Sequence, residues 1–267
     1  MPVLRSVMRH WVWTLVVVIV AVVLCSAAWV WFFVLRTPAT RVGVSQALRT
    51  YRAEQRSGTA GAATHLPPSG VYQYQTSGGE QLSMAGISRP FPGNSELIVT
   101  DDAGCTTMKW EPLVQHTEGW VACRQRDGAL SITSAPSYEQ IAGTQNTTVI
   151  RCPAGMYFLP PDPRTGERWR TTCHSPGETV VFSGEVLGTG SVKVGSVDVP
   201  ALHTEILLTF SGTESGTNPN TFWISSDDGL ILSQEETADF SQKVGPLGSV
   251  RYTEQMQIRL KSTVPLR

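Results

Sequence analysis

Beyond residue 70 the chain alternates apolar and polar positions with a period of two, broken by turn residues every eight to twelve positions. That pattern predicts a succession of antiparallel strands, each with one buried and one wet face. The last strand reads most clearly, with Val250, Tyr252, Met256, Ile258 and Leu260 on one face and Arg251, Thr253, Gln255, Gln257, Arg259 and Lys261 on the other. Residues 201–210 behave alike, gathering Leu202, Ile206, Leu208 and Phe210. A hairpin is expected over 192–199 about Gly195-Ser196, and Ser226-Asp227-Asp228-Gly229 turns the chain between strands at 221–225 and 230–237. Helical spacing is scarce: a short helical turn is expected over 137–142. A juxtamembrane helix is expected over 44–56, where Val44, Leu48 and Tyr51 line up among Arg49, Arg52 and Arg56. Residues 57–69, poor in complexity, read as a tether.

The N-terminal pattern is different. Residues 11–35 carry no charge, and as a helix they extend roughly 37 Å, enough to cross a hydrocarbon core of about 30 Å with some tilt. Trp11 and Trp13 at one end, and Trp29, Trp31, Phe32 and Phe33 towards the other, suit the headgroup zones. We read a transmembrane helix following a short cytoplasmic tail at 1–10. A cleaved signal peptide, with Ser26-Ala27-Ala28 before the cut, is the competing reading, but the apolar run continues to Leu35 and lacks a polar region before that site. A lipoprotein signal is not met either, because Leu24 precedes Cys25 where a small residue is required.

Orientation rests on the cysteines. Arg36, Arg41, Arg49 and Arg52 after the span outnumber Arg5 and Arg9 before it, which by itself favours a cytoplasmic domain. Four cysteines follow the span, without a C-x-x-C pair or a histidine at zinc-ligand spacing. Strands at 105–111 and 117–124, joined around Pro112 to His116, bring Cys105 opposite Cys123 when Met108 faces Trp120 and Thr107 faces Val121. A second hairpin about Pro160-Pro161-Asp162-Pro163-Arg164-Thr165-Gly166 sets Cys152 opposite Cys173 and Met156 opposite Trp169. Two hairpins that each align a cysteine pair predict two disulfides and an oxidising, extracytoplasmic compartment; the alternative is four buried free thiols in a cytosolic domain.

The expected architecture is mainly β. A transmembrane helix at 11–35 and a juxtamembrane helix and tether over 36–69 precede an extracytoplasmic domain at 70–267. That domain is a large curved antiparallel sheet or half-barrel of roughly ten to fourteen strands, with any helix lying in or across its concave side. Gly166-Glu167-Arg168-Trp169, the 192–203 hairpin VKVGSVDVPALH, Thr221-Phe222-Trp223-Ile224-Ser225 and Gly229-Leu230-Ile231-Leu232 form a series that resembles the β-meander of DUF3108-type and related bacterial envelope proteins. With Gly70-Val71-Tyr72-Gln73-Tyr74, the four cysteines and Gly245-Pro246-Leu247-Gly248, the chain over 44–262 is similar to actinobacterial single-span envelope proteins. The resemblance implies a half-barrel like those of lipoprotein carriers, which hold acyl chains or lipoproteins in a concave apolar cavity. It carries over no individual binding residue.

Charge and motifs narrow the function. Lys and Arg number 21 against 22 Asp and Glu, a net charge of −1, which argues against a nucleic-acid surface. His10, His65, His116, His174 and His203 form no HExxH or H-x-H pair, and G-x-S-x-G and phosphate-loop signatures are missing. No cofactor, metal or catalytic residue is therefore expected. His203 with Glu205 reads as a hydrated surface pair, and Cys173 beside His174 as a disulfide cysteine whose neighbour points to the other face. One residue breaks the pattern: Glu254 falls on the apolar face of the last strand, where a carboxylate must be paired, neutral or near an open mouth. Trp110, Trp120, Trp169 and Trp223, core by default, are candidates with Glu254 to line a ligand cavity. The expected function is a non-catalytic, membrane-anchored envelope protein that binds an apolar, lipid-like ligand or an envelope protein. The alternatives are a structural or regulatory subunit with a filled core and, behind it, an enzyme whose site is scattered along the sequence.

Overall fold

The computed structural model describes residues 16–28, 39–55, 66–83, 86–102, 104–141, 144–243 and 249–267. Residues 16–28 form helix α1, whose valines, Ile19 and Leu24 are exposed. Among the described residues no helix is long and apolar enough to cross a membrane. The remainder of the expected span, 11–15 and 29–35, lies outside the described residues, as do most of the tether and the 244–248 segment.

Helix α2 (Val44–Gln55) precedes strands β1 (Gly70–Leu82), β2 (Ile87–Pro90), β3 (Asn94–Asp102), β4 (Cys105–Leu113), β5 (His116–Arg124), β6 (Leu130–Ile141) and β7 (Thr144–Leu159). There follow β8 (Arg168–Ser175), β9 (Glu178–Val194), β10 (Val197–Gly212), β11 (Glu214–Ser225), β12 (Ile231–Lys243) and β13 (Ser249–Leu260). They lie in one antiparallel sheet in the order β13 back to β3, then β1 and β2, and β13 pairs with β1. The sheet is therefore a closed barrel rather than the expected half-barrel. Closure does what an apolar face requires: the sheet covers itself, and no helix is needed in its hollow. Helix α2 accordingly sits on the outer face, not the concave one, with Ala47, Leu48 and Tyr51 against Val71 and Ile98, residues that alternate with the inward Tyr72, Leu97 and Val99. On the same face Glu54 pairs with Lys109 at 2.5 Å.

β1 is the seam of the barrel. Gly70–Gln75 pair with β3 and Gly79–Leu82 with β2 on one side, while Tyr74–Leu82 pair with β13 on the other. The C-terminal tail extends that ladder, for Val71 and Leu266 exchange N–H to carbonyl bonds of 2.9 Å. The seam needs close approach, most tightly at Gly78. Gly78 has φ +111°, and a Cβ there would lie 1.9 Å from the carbonyl oxygen of Gln255 in β13.

Inside, alternate residues of every strand converge. Tyr74, Leu97, Met108, Trp110, Leu130, Ile132, Phe158, Leu202 and Ile258 belong to one core cluster, and the phenol of Tyr74 donates to the carbonyl of Ile231 at 2.6 Å across the interior. The hairpins at Gly195-Ser196 and Ser226 to Gly229, and the last strand's alternation, stand as the pattern predicts. Two local readings are corrected. Residues 137–141 are not helical, and residue 142 lies outside the described residues: Ser137, Tyr138 and Glu139 continue β6 opposite Glu118, Thr117 and His116, so the neighbouring strand supplies the hydrogen bonds a helical turn would have made. The β4–β5 connection is also tighter than Pro112 to His116, because a register shift between Trp110 and Leu113 lets Leu113 pair with His116.

Both predicted disulfides are present, Cys105–Cys123 and Cys152–Cys173. Cys105 opposes Cys123 in the register that aligns Met108 with Trp120 and Thr107 with Val121, and Arg151 opposes His174, one step from the second bridge.

Two measurements check this account. Gly78→Ala should lower unfolding stability by roughly 3 kcal/mol in urea, because the added methyl collides with backbone that the seam cannot move. The double variant Cys105→Ser/Cys123→Ser should lose up to about 3 kcal/mol, since the bridge closes a loop of 18 residues in the unfolded chain.

Candidate functional site

The interior is not filled throughout. A cavity of about 130 Å³ lies within the barrel, walled on its apolar side by Trp120, Ile132, Phe158, Phe182 and Phe222. Its other lining is acidic, from Glu118, Glu139, Glu178, Glu214, Glu236 and Glu254. Antiparallel order explains the gathering. Glu80 near the end of β1, His116 and Glu118 at the start of β5, Glu139 near the end of β6, and Glu236 and Glu254 near the middles of β12 and β13 all fall towards one end of the barrel.

Glu80 is the anchor of this end. Its Oε1 lies 2.5 Å from Nε of Arg89, and its Oε2 meets His116 Nδ1 at 2.9 Å and the Tyr252 hydroxyl at 2.8 Å, all in a fully buried setting. Arg89 also donates to the carbonyl of Gln140 at 2.8 Å. The Tyr252 oxygen lies 2.5 Å from Oε2 of Glu254 as well. One phenolic proton cannot serve two carboxylates, so when it goes to Glu80 the contact with Glu254 requires Glu254 to keep a proton and donate it. Next to it, Glu236 accepts from Asn218 at 2.5 Å and from Gln234 at 3.0 Å, with Asn220 bridging the two amides.

Burial governs the protonation of these groups. It raises Glu254 to about 8, against the positive charge of His116 and with the repulsion of Glu118 and Glu80. It raises Glu236 well above the carboxylate range, reinforced by Glu118 and Glu254. Glu139 and Glu214 are pushed to about 7, mainly by burial. Burial opposes charge on His116 too, yet Glu254, Glu118 and Glu80 hold its pKa well above the ordinary imidazole value. Burial likewise works against ionised Glu80, but the hydrogen bond and charge of His116, with Arg89 and Tyr252, keep it below the usual range. The end therefore holds an imidazolium and a carboxylate beside carboxyls that keep their protons.

Two groups of side chains have donor atoms close enough to share an ion: Glu80, His116 and Glu254, and Glu118, Glu236 and Glu254, the atoms of each group lying within 4.8 Å of one another.

Of the residues singled out in the sequence, Glu254 and Trp120 line the cavity. Trp110 lies in the core against Phe91 and His116, its indole donating to Ser95 Oγ at 2.7 Å. Trp169 covers Gly184, and Trp223 stacks on His203 on the outer face at 4.3 Å, so these three do not line the cavity. Glu80, Glu236 and Glu139 escaped the sequence reading, although each sits at an inward position of its strand, the same signal that marked Glu254. His116 escaped because it was placed in a loop.

No family model matches the chain, DUF3108 included, and no curated protein matches it. Among solved structures it is similar to the hypothetical lipoprotein YmcC of Escherichia coli K12, at 13% identity and a TM-score of 0.35, over 85% of this chain and all of that one.

The proton inventory sets a pH dependence. Between the unfolded value of 4.5 and about 8, native Glu254 holds a proton that the unfolded chain releases, so stability falls as pH rises through that window. His116 adds in the same direction above 6.5. Glu80, depressed in the fold, contributes stability that is lost as pH falls below its unfolded value of 4.5. Urea unfolding in EDTA should therefore show maximal stability near pH 5 and a decline towards pH 8. Glu254→Gln, which keeps the shape without the charge, should match the parent at pH 5 and exceed it by about 1–2 kcal/mol at pH 8.

Proposed function

We propose that the chain is a non-catalytic, membrane-anchored protein of the cell envelope, and that its barrel lies outside the cytoplasm and binds a slender apolar, lipid-like ligand in its interior. The observation that carries this reading is the cavity, with its aromatic and aliphatic wall, in a place where a purely structural barrel would be packed. Its volume, about 130 Å³, is close to that of an engineered cavity of about 150 Å³ that admits benzene. It falls below the roughly 300–1,000 Å³ of pockets that enclose drug-sized molecules. It therefore suits the tip of an acyl chain or a single ring, with the rest of the ligand outside.

Location is argued from covalent chemistry and sequence. Disulfides persist in oxidising compartments, and both hairpin pairs are bridged. The uncharged run 11–35 supports a single span with residues 1–10 inside, and the DUF3108-type series of turn and core residues agrees with an envelope role. The non-catalytic part of the reading is supported by the sequence, which carries no G-x-S-x-G, HExxH or phosphate-loop signature.

Native mass spectrometry of the full chain, extracted in mild detergent, should show a co-purifying apolar mass. N-phenyl-1-naphthylamine added to delipidated protein should gain fluorescence, and Ile206→Trp, which fills the cavity from its wall, should weaken that probe about tenfold. A parent protein that carries no such mass and leaves the probe dark refutes the reading.

A further inference from the structure

We propose that the polar end of the barrel binds one divalent first-row transition ion, held by carboxylate oxygens of Glu118, Glu236 and Glu254 and by Nε2 of His116, with Glu80 fixing the imidazole. The inference goes beyond the apolar-ligand reading and uses a different part of the cavity.

The donor set comes from separate strands. His116 and Glu118 are two residues apart on β5 and share its inner face, whereas Glu236 and Glu254 arrive from β12 and β13, where Glu254 pairs with Ala238, two residues from Glu236 on the same face. One oxygen each of Glu118, Glu236 and Glu254 already lies within 4.8 Å of the others. Rotation of carboxylate side chains brings such atoms to the ~2.1 Å contacts that an ion of this class makes. Nε2 of His116 faces Oε1 of Glu118 at 3.6 Å, an ion-pair distance too long for a hydrogen bond.

Two of the buried atoms left without a hydrogen-bond partner belong to the proposed ligands. Among the described residues, Nε2 of His116 and Oε1 of Glu254 have no hydrogen-bond partner, on side chains that are 1% and 2% exposed. Orphaned groups at that depth are rare and call for an explanation. The other polar atom of His116 and of Glu254 is already directed. Nδ1 of His116 bonds Glu80, the arrangement by which a carboxylate presents the opposite nitrogen of a histidine to a metal. Glu236 is oriented by Asn218 and Gln234, and Glu254 by Tyr252. The carboxyls of Glu80, Glu118, Glu139, Glu236 and Glu254 outnumber the two basic side chains that face them, Arg89 and His116. Glu118, 21% exposed, leaves the site a way in. One imidazole with three carboxylates suits Zn²⁺ or Mn²⁺ better than the all-oxygen preferences of Ca²⁺ and Mg²⁺.

The test is isothermal titration of the full chain in detergent, stripped with EDTA and dialysed, with ZnCl₂, MnCl₂ and CaCl₂ in separate runs. We expect one Zn²⁺ or Mn²⁺ per chain. Glu254→Gln and Glu118→Gln should each weaken it about 100-fold, Glu80→Gln about tenfold, and the outer-face variant Glu205→Gln not at all. Glu118→Gln, at a partly exposed position, keeps the test open if Glu254→Gln does not fold. No uptake by the parent, uptake unchanged in both Glu254→Gln and Glu118→Gln, or Ca²⁺ bound as tightly as Zn²⁺ overturns the assignment. No apolar probe is present in these titrations, so their failure leaves the ligand reading standing, and the reverse holds.

Discussion

Pairing of β1 with β13 is the contact on which the rest of the molecule depends. An antiparallel sheet with one apolar face has two free edges and an uncovered surface, and joining the edges removes both problems at once. Gly78 permits the approach, β2 and β3 share the far side of β1, and the C-terminal tail extends the same ladder through Leu266. Once closed, the barrel encloses a volume that only inward side chains can fill, so each strand's alternate residues acquire partners that are remote in sequence.

That enclosure gives the acidic end its chemistry. On an open sheet the carboxyls of Glu80, Glu236 and Glu254 would be hydrated and ordinary. Inside a closed wall they cannot shed charge into water, so protons, Arg89, His116 and a chain of amides take over the role of solvent. Protein and solvent compete differently at the apolar end of the cavity, where Phe158, Phe182 and Phe222 offer water no partner. One cavity thus presents two surfaces of opposite character a few residues apart on the same strands.

The disulfides and the outer helix address a different need. Both bridges tie neighbouring strands that already pair, so they restrict the unfolded chain more than they shape the native one. Helix α2 covers Val71 and Ile98, outward apolar residues that would otherwise lie bare beside the seam.

Sequence alone determined the local features. Period-two alternation located the strands, turn residues placed the hairpins, and two cysteine pairs in register identified the bridges, because each depends on residues close along the chain. Glu254 was legible as an inward carboxyl by the same parity. Tertiary structure decided what depends on strands far apart. Closure replaced the half-barrel because nothing in β1 or β13 by itself states that their edges meet. The helix went outside because closure left the hollow to side chains. The tryptophans divided between core, outer face and cavity for reasons of register across neighbours, and only closure brought Glu80, His116, Glu236 and Glu254 to one place. A strand's pattern records which face is buried; which other residues share that burial is set by how the sheet closes.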